Sequence, residues 1–334
     1  MDIIKKMLYT PAVVGNEGKF ARLVADIMKE YTDEVHIDVM GNVIAKKNGT
    51  AKNPKKLMFA AHMDEIGFIV TQIDDDGFVR VSPMGGIDYV ASAYYTVIFD
   101  SGLKGVLVPE ADFGNKFAAK HFYVDIGAND KKAAMRRVKV GDFCSVPPKI
   151  EKLSGTRYAG RPFDDKLGCA IMIEAARDAK ANPNDVYYVF TVQEEVGCRG
   201  SKTATYSIMP DFGVAFDLTR TGDAKNAHPM AVSLGKGAAV KVKDSSVICD
   251  PGFVKFLSQL ASDNKIPHQL EILESGGTDT CSMQMTGAGC IASAISVPAR
   301  YIHSNIETFD MRDYRACVQL TTALVEYDLN DFVV

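Results

Sequence analysis

Tryptophan is absent from the 334 residues, and with it the aromatic platform on which sugar-cleaving enzymes usually rest their substrate. No apolar run approaches the roughly 20 residues of a membrane span. Lys5 and Lys6 interrupt the apolar stretch at the N-terminus, so no export signal is visible and no membrane partner is expected. An excess of positive charge is missing too: the formal net charge is −4, which argues against a nucleic-acid partner needing a basic face. Neither GxSxG nor a phosphate loop GxxxxGK is found, which removes the nucleophile-elbow and nucleotide-cradle readings. The seven cysteines show no CxxC spacing, which suggests reduced thiols and a cytoplasmic setting. Cys144, Cys169, Cys249, Cys290 and Cys317 have apolar neighbours and read as small core residues. There is no internal repeat and no low-complexity segment.

What is present is an ordinary globular composition, 47% apolar and 24% charged, long enough for a large core and two domains. The run Leu57 to Ala61 reads as a strand buried on both faces, and it ends abruptly in His62 with Asp64 two positions on. Before it, Phe20, Leu23, Val24 and Ile27 mark one face of a helix, and a hairpin is expected around Gly41. Val186 to Val192, Phe212 to Phe216 and Cys290 to Ile295 are further buried strands, with helices over about 165–179, 253–260 and 312–327. This alternation predicts an α/β fold. Between residues 67 and 159 the pattern changes to strand, turn, strand, with turns at Asp74–Gly77 and Asp100–Gly102. That segment is expected to be a mainly β domain inserted between residues 1–66 and 160–334, leaving and returning at neighbouring points.

The buried strands share an ending. His62, Glu194 with Glu195, and Asp217 each terminate one, and His303 lies in the loop after the last. Asp164 and Asp165 open a helix, where acidic residues often serve as caps. Charges at the ends of buried strands are costly unless a cation or partner is present. Two imidazoles, His62 and His303, and three carboxylates, Asp164, Glu195 and Asp217, balance two divalent cations with one hydroxide. Nitrogen and oxygen ligands without thiolate suit Zn, Co or Mn. Two such ions roughly 3.5–4 Å apart are a known device for activating water.

The ordered motifs Ala61–Phe68, Asp164-Asp165-Lys166, Gln193–Gly197, Phe216-Asp217, Gly276–Asp279 and Arg300–Ser304 together resemble the co-catalytic di-metal aminopeptidases, which include glutamyl, deblocking and tetrahedral (TET) aminopeptidases. The resemblance covers nearly the whole chain. It implies a zinc-exopeptidase-like core, a mixed and mainly parallel sheet flanked by helices, with an inserted small β-barrel-like domain that mediates assembly into dimers or dodecamers. It implies that His62, Glu195, Asp217 and His303 are terminal ligands, that Asp164 bridges two ions, that Asp64 orients His62, and that Glu194 is the general base. The substrates are then peptides, cleaved at the first bond. Lys166 stands where the family usually has Arg, and residues 218–225 depart from its pattern. Alternatives are a metal-dependent amidase or deacylase, a glycosidase (endoglucanase) using paired carboxylates without metal, and a non-catalytic scaffold. On an ideal strand Glu194 and Glu195 point to opposite faces, so Val196-Gly197 must mark a break if both are to reach one site.

Overall fold

The computed structural model describes residues 1–87, 89–109, 122–225 and 227–332. Its centre is the strand Lys56–His62, buried from Leu57 onward. It pairs in parallel with Asp185–Thr191 on one side and Phe212–Thr219 on the other, and Ile291–Arg300 extends the parallel set beyond Phe212–Thr219. Both faces of this set are covered, which is why the four strands read as unbroken apolar runs instead of alternating ones. Leu57, Phe59 and Ala61 enter one core with helices Gly18–Met28, Lys166–Asp178 and Met311–Glu326. Met58 and Ala60 point the other way, against Ala204 and Ile208 of helix Arg199–Ile208 and Met283 of helix Thr280–Met285. Phe59 is held between Tyr188 and Phe216, with ring centroids 5.5 and 5.4 Å away, and each such pair adds about 0.5–1.5 kcal/mol to the area it buries.

Seven further strands, most of them antiparallel to their neighbours, finish the 11-stranded sheet. The hairpin Glu34–Ile37 and Val43–Lys47 turns where expected and lies along Asp185–Thr191. At the other end Glu307–Asp310 pairs with Ile291–Arg300 and then with the hairpin Arg157–Arg161 and Lys149–Lys152. Ala238–Lys243 and His268–Ile272 branch from Ile291–Arg300. The architecture is the mixed sheet with flanking helices that the sequence led one to expect.

Strands Gly67–Ile73, Val79–Met84, Phe122–Asp125, Lys104–Pro109, Thr96–Phe99 and Phe143–Ser145 close into a barrel, filled by Phe68, Val70, Val81, Phe99, Val124 and their neighbours. Its first and last strands pair at Phe68 and Cys144, and the Ser145 hydroxyl donates to Glu65 at 3.2 Å. The two ends of the barrel segment thus lie side by side, next to Glu65. The hairpin Lys149–Lys152 and Arg157–Arg161 pairs with the main sheet and not with the barrel. Among the described residues no helix is long and apolar enough to cross a membrane.

Candidate metal centre

Parallel strands present their carboxyl ends on one rim of a sheet, and ligands gather there. His62 is the last residue of its strand and lies level with Thr191 on the neighbouring one. Asp217 sits near the end of Phe212–Thr219. Asp164 and Asp165 follow Arg157–Arg161 and divide two tasks. Asp165 is the cap, accepting the Gly168 N–H at 2.9 Å. Asp164 is thereby left for the rim, its main chain fixed by Glu307, whose carboxylate accepts the N–H groups of Phe163 and Asp164 at 2.6 and 3.2 Å.

Glu194 and Glu195 both reach the site because the strand breaks before them. Asp185–Thr191 ends, Gln193 takes φ +57°, and the Glu194–Gly197 turn follows. A left-handed non-glycine residue costs of order 1–3 kcal/mol and needs surroundings that hold it. Here Asp64 does so: its two carboxylate oxygens accept the N–H groups of Glu194 and Glu195 at 3.0 and 3.1 Å.

Asp64 also meets His62, though differently from the expected carboxylate contact. His62 Nδ1 is 3.0 Å from the Asp64 main-chain oxygen and 3.8 Å from its carboxylate. A carbonyl oxygen only accepts, so Nδ1 carries a proton, and a neutral ring then directs the Nε2 lone pair at the site. What Nε2 faces are more acceptors: Asp164 Oδ1 at 3.1 Å, Asp217 Oδ1 at 3.9 Å and Glu194 Oε2 at 4.0 Å. His303 Nε2, from a loop residue at φ +64°, lies 3.4 Å from both Asp164 Oδ2 and Glu195 Oε2. Such an array is attractive only with positive charge among its atoms, and that is the fit expected of a metal centre. Two triads of ligand atoms, each within 4.8 Å, overlap at Asp164: His62, Asp164 and Glu195, and Asp164, Asp165 and Asp217.

Proton affinities report the same demand. Burial resists charge on His62 and His303, yet hydrogen bonds to Asp164 and the nearby carboxylates win. His62 is held well above its ordinary value and His303 rises to about 9. Burial pushes Glu194 well up, aided by the charges of Asp279 and Glu195. Burial and then Asp164 raise Asp217 well above the usual carboxylate range and Glu195 to about 7. Asp164 alone goes down: burial opposes its ionisation, but hydrogen bonds from His303 and His62 prevail.

The rim opens into a cavity of about 460 Å³ that includes all six of His62, Asp164, Glu194, Glu195, Asp217 and His303. Gly86, from the loop after barrel strand Val79–Met84, forms part of its wall. A Cβ there would stand 3.0 Å from His303 Nδ1, a tight contact to which the imidazole would have to yield, so this loop borders directly on the site. Three kinds of residue escaped sequence reasoning. Glu307 gave no signal. Asp279 belonged to a quoted motif but had no role, and it lies with Glu194 and Cys198 while accepting the Thr191 hydroxyl at 2.6 Å. Cys198 and Cys281 line the same cavity. Lys166 is fully buried, donates to the Met63 carbonyl at 2.6 Å and sits 3.7 Å over the Phe20 ring, bracing the chain just after His62. In the divergent stretch after Asp217, Leu218 and Arg220 reach the cavity wall, while Asp223 pairs with Arg300 at 2.8 Å.

Known proteins resemble the chain over nearly its whole length. The family model described as M42 glutamyl aminopeptidase matches residues 41–320. A putative aminopeptidase of Acetivibrio thermocellus is 44% identical over 323 residues, with 96% of each chain covered. The solved structure of an aminopeptidase from Desulfurococcus kamchatkensis superposes with a TM-score of 0.93 at 35% identity, covering 97% of this chain and 94% of that one. The Pyrococcus horikoshii TET1 peptidase, described as able to assemble into a tetrahedron or a large octahedral shell, gives 0.86 at 30% identity, covering 97% and 98%.

Proposed function

The chain belongs to the M42 glutamyl aminopeptidase family and is an aminopeptidase, and we propose that it works with two divalent cations, which His62, Asp164, Glu195, Asp217 and His303 would hold. The observation that carries this reading is the Asp164 carboxylate, with Oδ1 facing His62 Nε2 and Oδ2 facing His303 Nε2. His62 and Asp217 would hold one cation with Asp164, and His303 and Glu195 would hold the other. Zn, Co and Mn suit these donors. Bound there, the cations supply Lewis acidity toward the peptide carbonyl and make water easier to deprotonate. The protein's own groups do the rest. Glu194 takes the proton of the attacking water and returns it to the leaving amine, and its burial favours holding that proton between the two steps. Asp64 keeps the Glu194 main chain in place. A free N-terminus beside the ligands limits cleavage to the first bond.

The test is a panel of aminoacyl-para-nitroanilides assayed before chelation, after it, and after Zn, Co or Mn is returned. Activity is expected to vanish and recover. Cleavage indifferent to chelation would refute the metal reading, as a glycosidase-like or metal-free mechanism demands. Action on N-acylated substrates in preference to free amino termini would favour an amidase or deacylase.

The metal-free protein should also show the protons that stand in for the cations. Burial first, then Asp164, raises Glu195 from 4.5 to about 7 and Glu307 from 4.5 to about 8, and His303 rises from 6.5 to about 9. Across that span the folded chain binds more protons than the unfolded one, so stability declines as pH rises. In chelator, Tm is expected to fall from about pH 5.5 to about pH 8.5, and bound metal, which displaces these protons, should remove the fall. A Tm that climbs with pH in chelator would contradict the account.

The barrel is, in this proposal, an inserted assembly module, which its separate core and adjoining ends support, as does the assembly described for the TET1 peptidase. Light scattering should give a particle mass that is a multiple of 36.3 kDa, and a monomer would refute it. Seven unpaired cysteines favour a cytoplasmic enzyme.

A further inference from the structure

Cys198 and Cys281 differ in setting from Cys144, Cys169 and Cys317, which are buried in the cores. Both line the cavity that contains Glu194. Cys198 immediately precedes helix Arg199–Ile208 and Cys281 is the second residue of helix Thr280–Met285, and these two helices pack together. Their starts are tied directly, since the Ser282 hydroxyl donates to the Cys198 carbonyl at 3.1 Å. The Cys198 thiol donates to Glu194 Oε1 at 3.2 Å, and the Cys281 sulfur lies 4.0 Å from the hydroxyl of Ser282, the group tied to the Cys198 carbonyl. Cys281 is partly exposed, and the neighbouring Cys198 thiol brings its own thiol down to about 6. Neither sulfur belongs to the proposed ligand sets. A low, accessible thiolate with a second thiol beside it is the arrangement of a redox-sensitive pair.

We propose that Cys198 and Cys281 are a modification site, where a hydroperoxide entering the cavity forms a Cys198–Cys281 disulfide that reversibly turns peptide cleavage down. The Cys281 thiolate attacks one peroxide oxygen; the O–O bond breaks, an S–O bond forms, and hydroxide leaves to take the proton that Cys281 had released. The Cys198 sulfur then attacks the Cys281 sulfur. The S–S bond forms, the S–O bond breaks, and the departing hydroxide leaves as water with the Cys198 proton. The two sulfurs lose two electrons and the peroxide becomes two waters. The bond removes the S–H that touches Glu194. It also pulls on the turn before it, because the Cys198 N–H donates to the Glu194 carbonyl at 2.9 Å. The loss of rate rests on Glu194 being the base, whereas disulfide formation does not.

The experiment treats metal-loaded wild type, Cys198→Ser and Cys281→Ser with hydrogen peroxide, maps peptides without reduction, and measures each protein's rate against its own untreated rate. Wild type should yield the linked 198–281 peptide and lose about tenfold or more in rate, recovering when a phosphine reductant is added. Both serine variants should form no such link and keep their own rates. Absence of the linked peptide, or a linked form that cleaves as fast as the reduced one, would overturn the proposal, as would equal inactivation of the serine variants. Mapping reads the disulfide whatever the substrate, so a failure of the pair is distinct from a failure of the aminopeptidase reading, which the chelation panel judges on reduced enzyme.

Discussion

Glu194→Gln is expected to retain both cations and bind substrate while kcat falls by about 10²–10⁴-fold, the usual worth of a positioned proton transfer. The substitution is nearly isosteric, so the turn held by Asp64 should survive, because that turn depends on the main-chain N–H groups of residues 194 and 195. What is lost is the capacity of the side chain to accept a proton. Glu195→Gln tests the other half of the pair. Its Oε2 lies 3.4 Å from His303 Nε2, among the proposed ligand atoms, so the amide should weaken metal binding first and activity as a consequence. Metal content by mass spectrometry, measured beside kcat and KM, separates the two. Near-normal turnover in Glu194→Gln would refute its role as base. Loss of metal there, with retention in Glu195→Gln, would mean that the two roles are exchanged.

How much of this was legible depends on how each element is buried. The parallel strands were readable because both of their faces are covered, so Lys56–His62, Asp185–Thr191 and Phe212–Thr219 are mainly apolar along their middles and the polar residues near their ends stand out. His62, Glu194, Glu195 and Asp217 became candidates for that reason. Ala238–Lys243 and His268–Ile272 escaped notice because charges interrupt them. Lys241 and Glu271 are both buried and satisfy each other as an ion pair, with Asp244 beside Lys241, so the apolar run that marks a buried strand never forms. Glu307 lies in a four-residue antiparallel strand, too short for a pattern, and acts on main-chain N–H groups that no sequence motif specifies. The Asp64 contact with His62 shows a similar limit. The pair was legible, but the use of a main-chain oxygen for His62 and of the carboxylate for the 194–195 turn follows from the left-handed residue at Gln193, which pattern does not reveal.

Asp164→Ala should have the widest effect of any single change in the site. Asp217 and Glu195 each serve one proposed ligand set, so Asp217→Ala is expected to lower occupancy of one ion and stop catalysis by leaving the other alone. Asp164 serves both, one oxygen facing each imidazole. Its removal should empty both positions at metal concentrations that saturate wild type, and cut kcat/KM by at least about 10³-fold, the loss expected when several kcal/mol of cation stabilisation disappears. The same change should have an opposite consequence for the chelated protein. The Asp164 charge raises Glu195, Asp217 and Glu307, after burial itself, so deleting it lets those carboxylates ionise at lower pH. It also removes the hydrogen-bond partner that holds His62 and His303 protonated. Folded and unfolded states then differ less in bound protons, and the decline of metal-free stability with rising pH should flatten. Metal analysis and thermal unfolding of the same samples read both effects. A variant that keeps two ions would remove Asp164 as their shared ligand. One that loses them but keeps the wild-type slope of Tm against pH would show that the proton load arises elsewhere in the core.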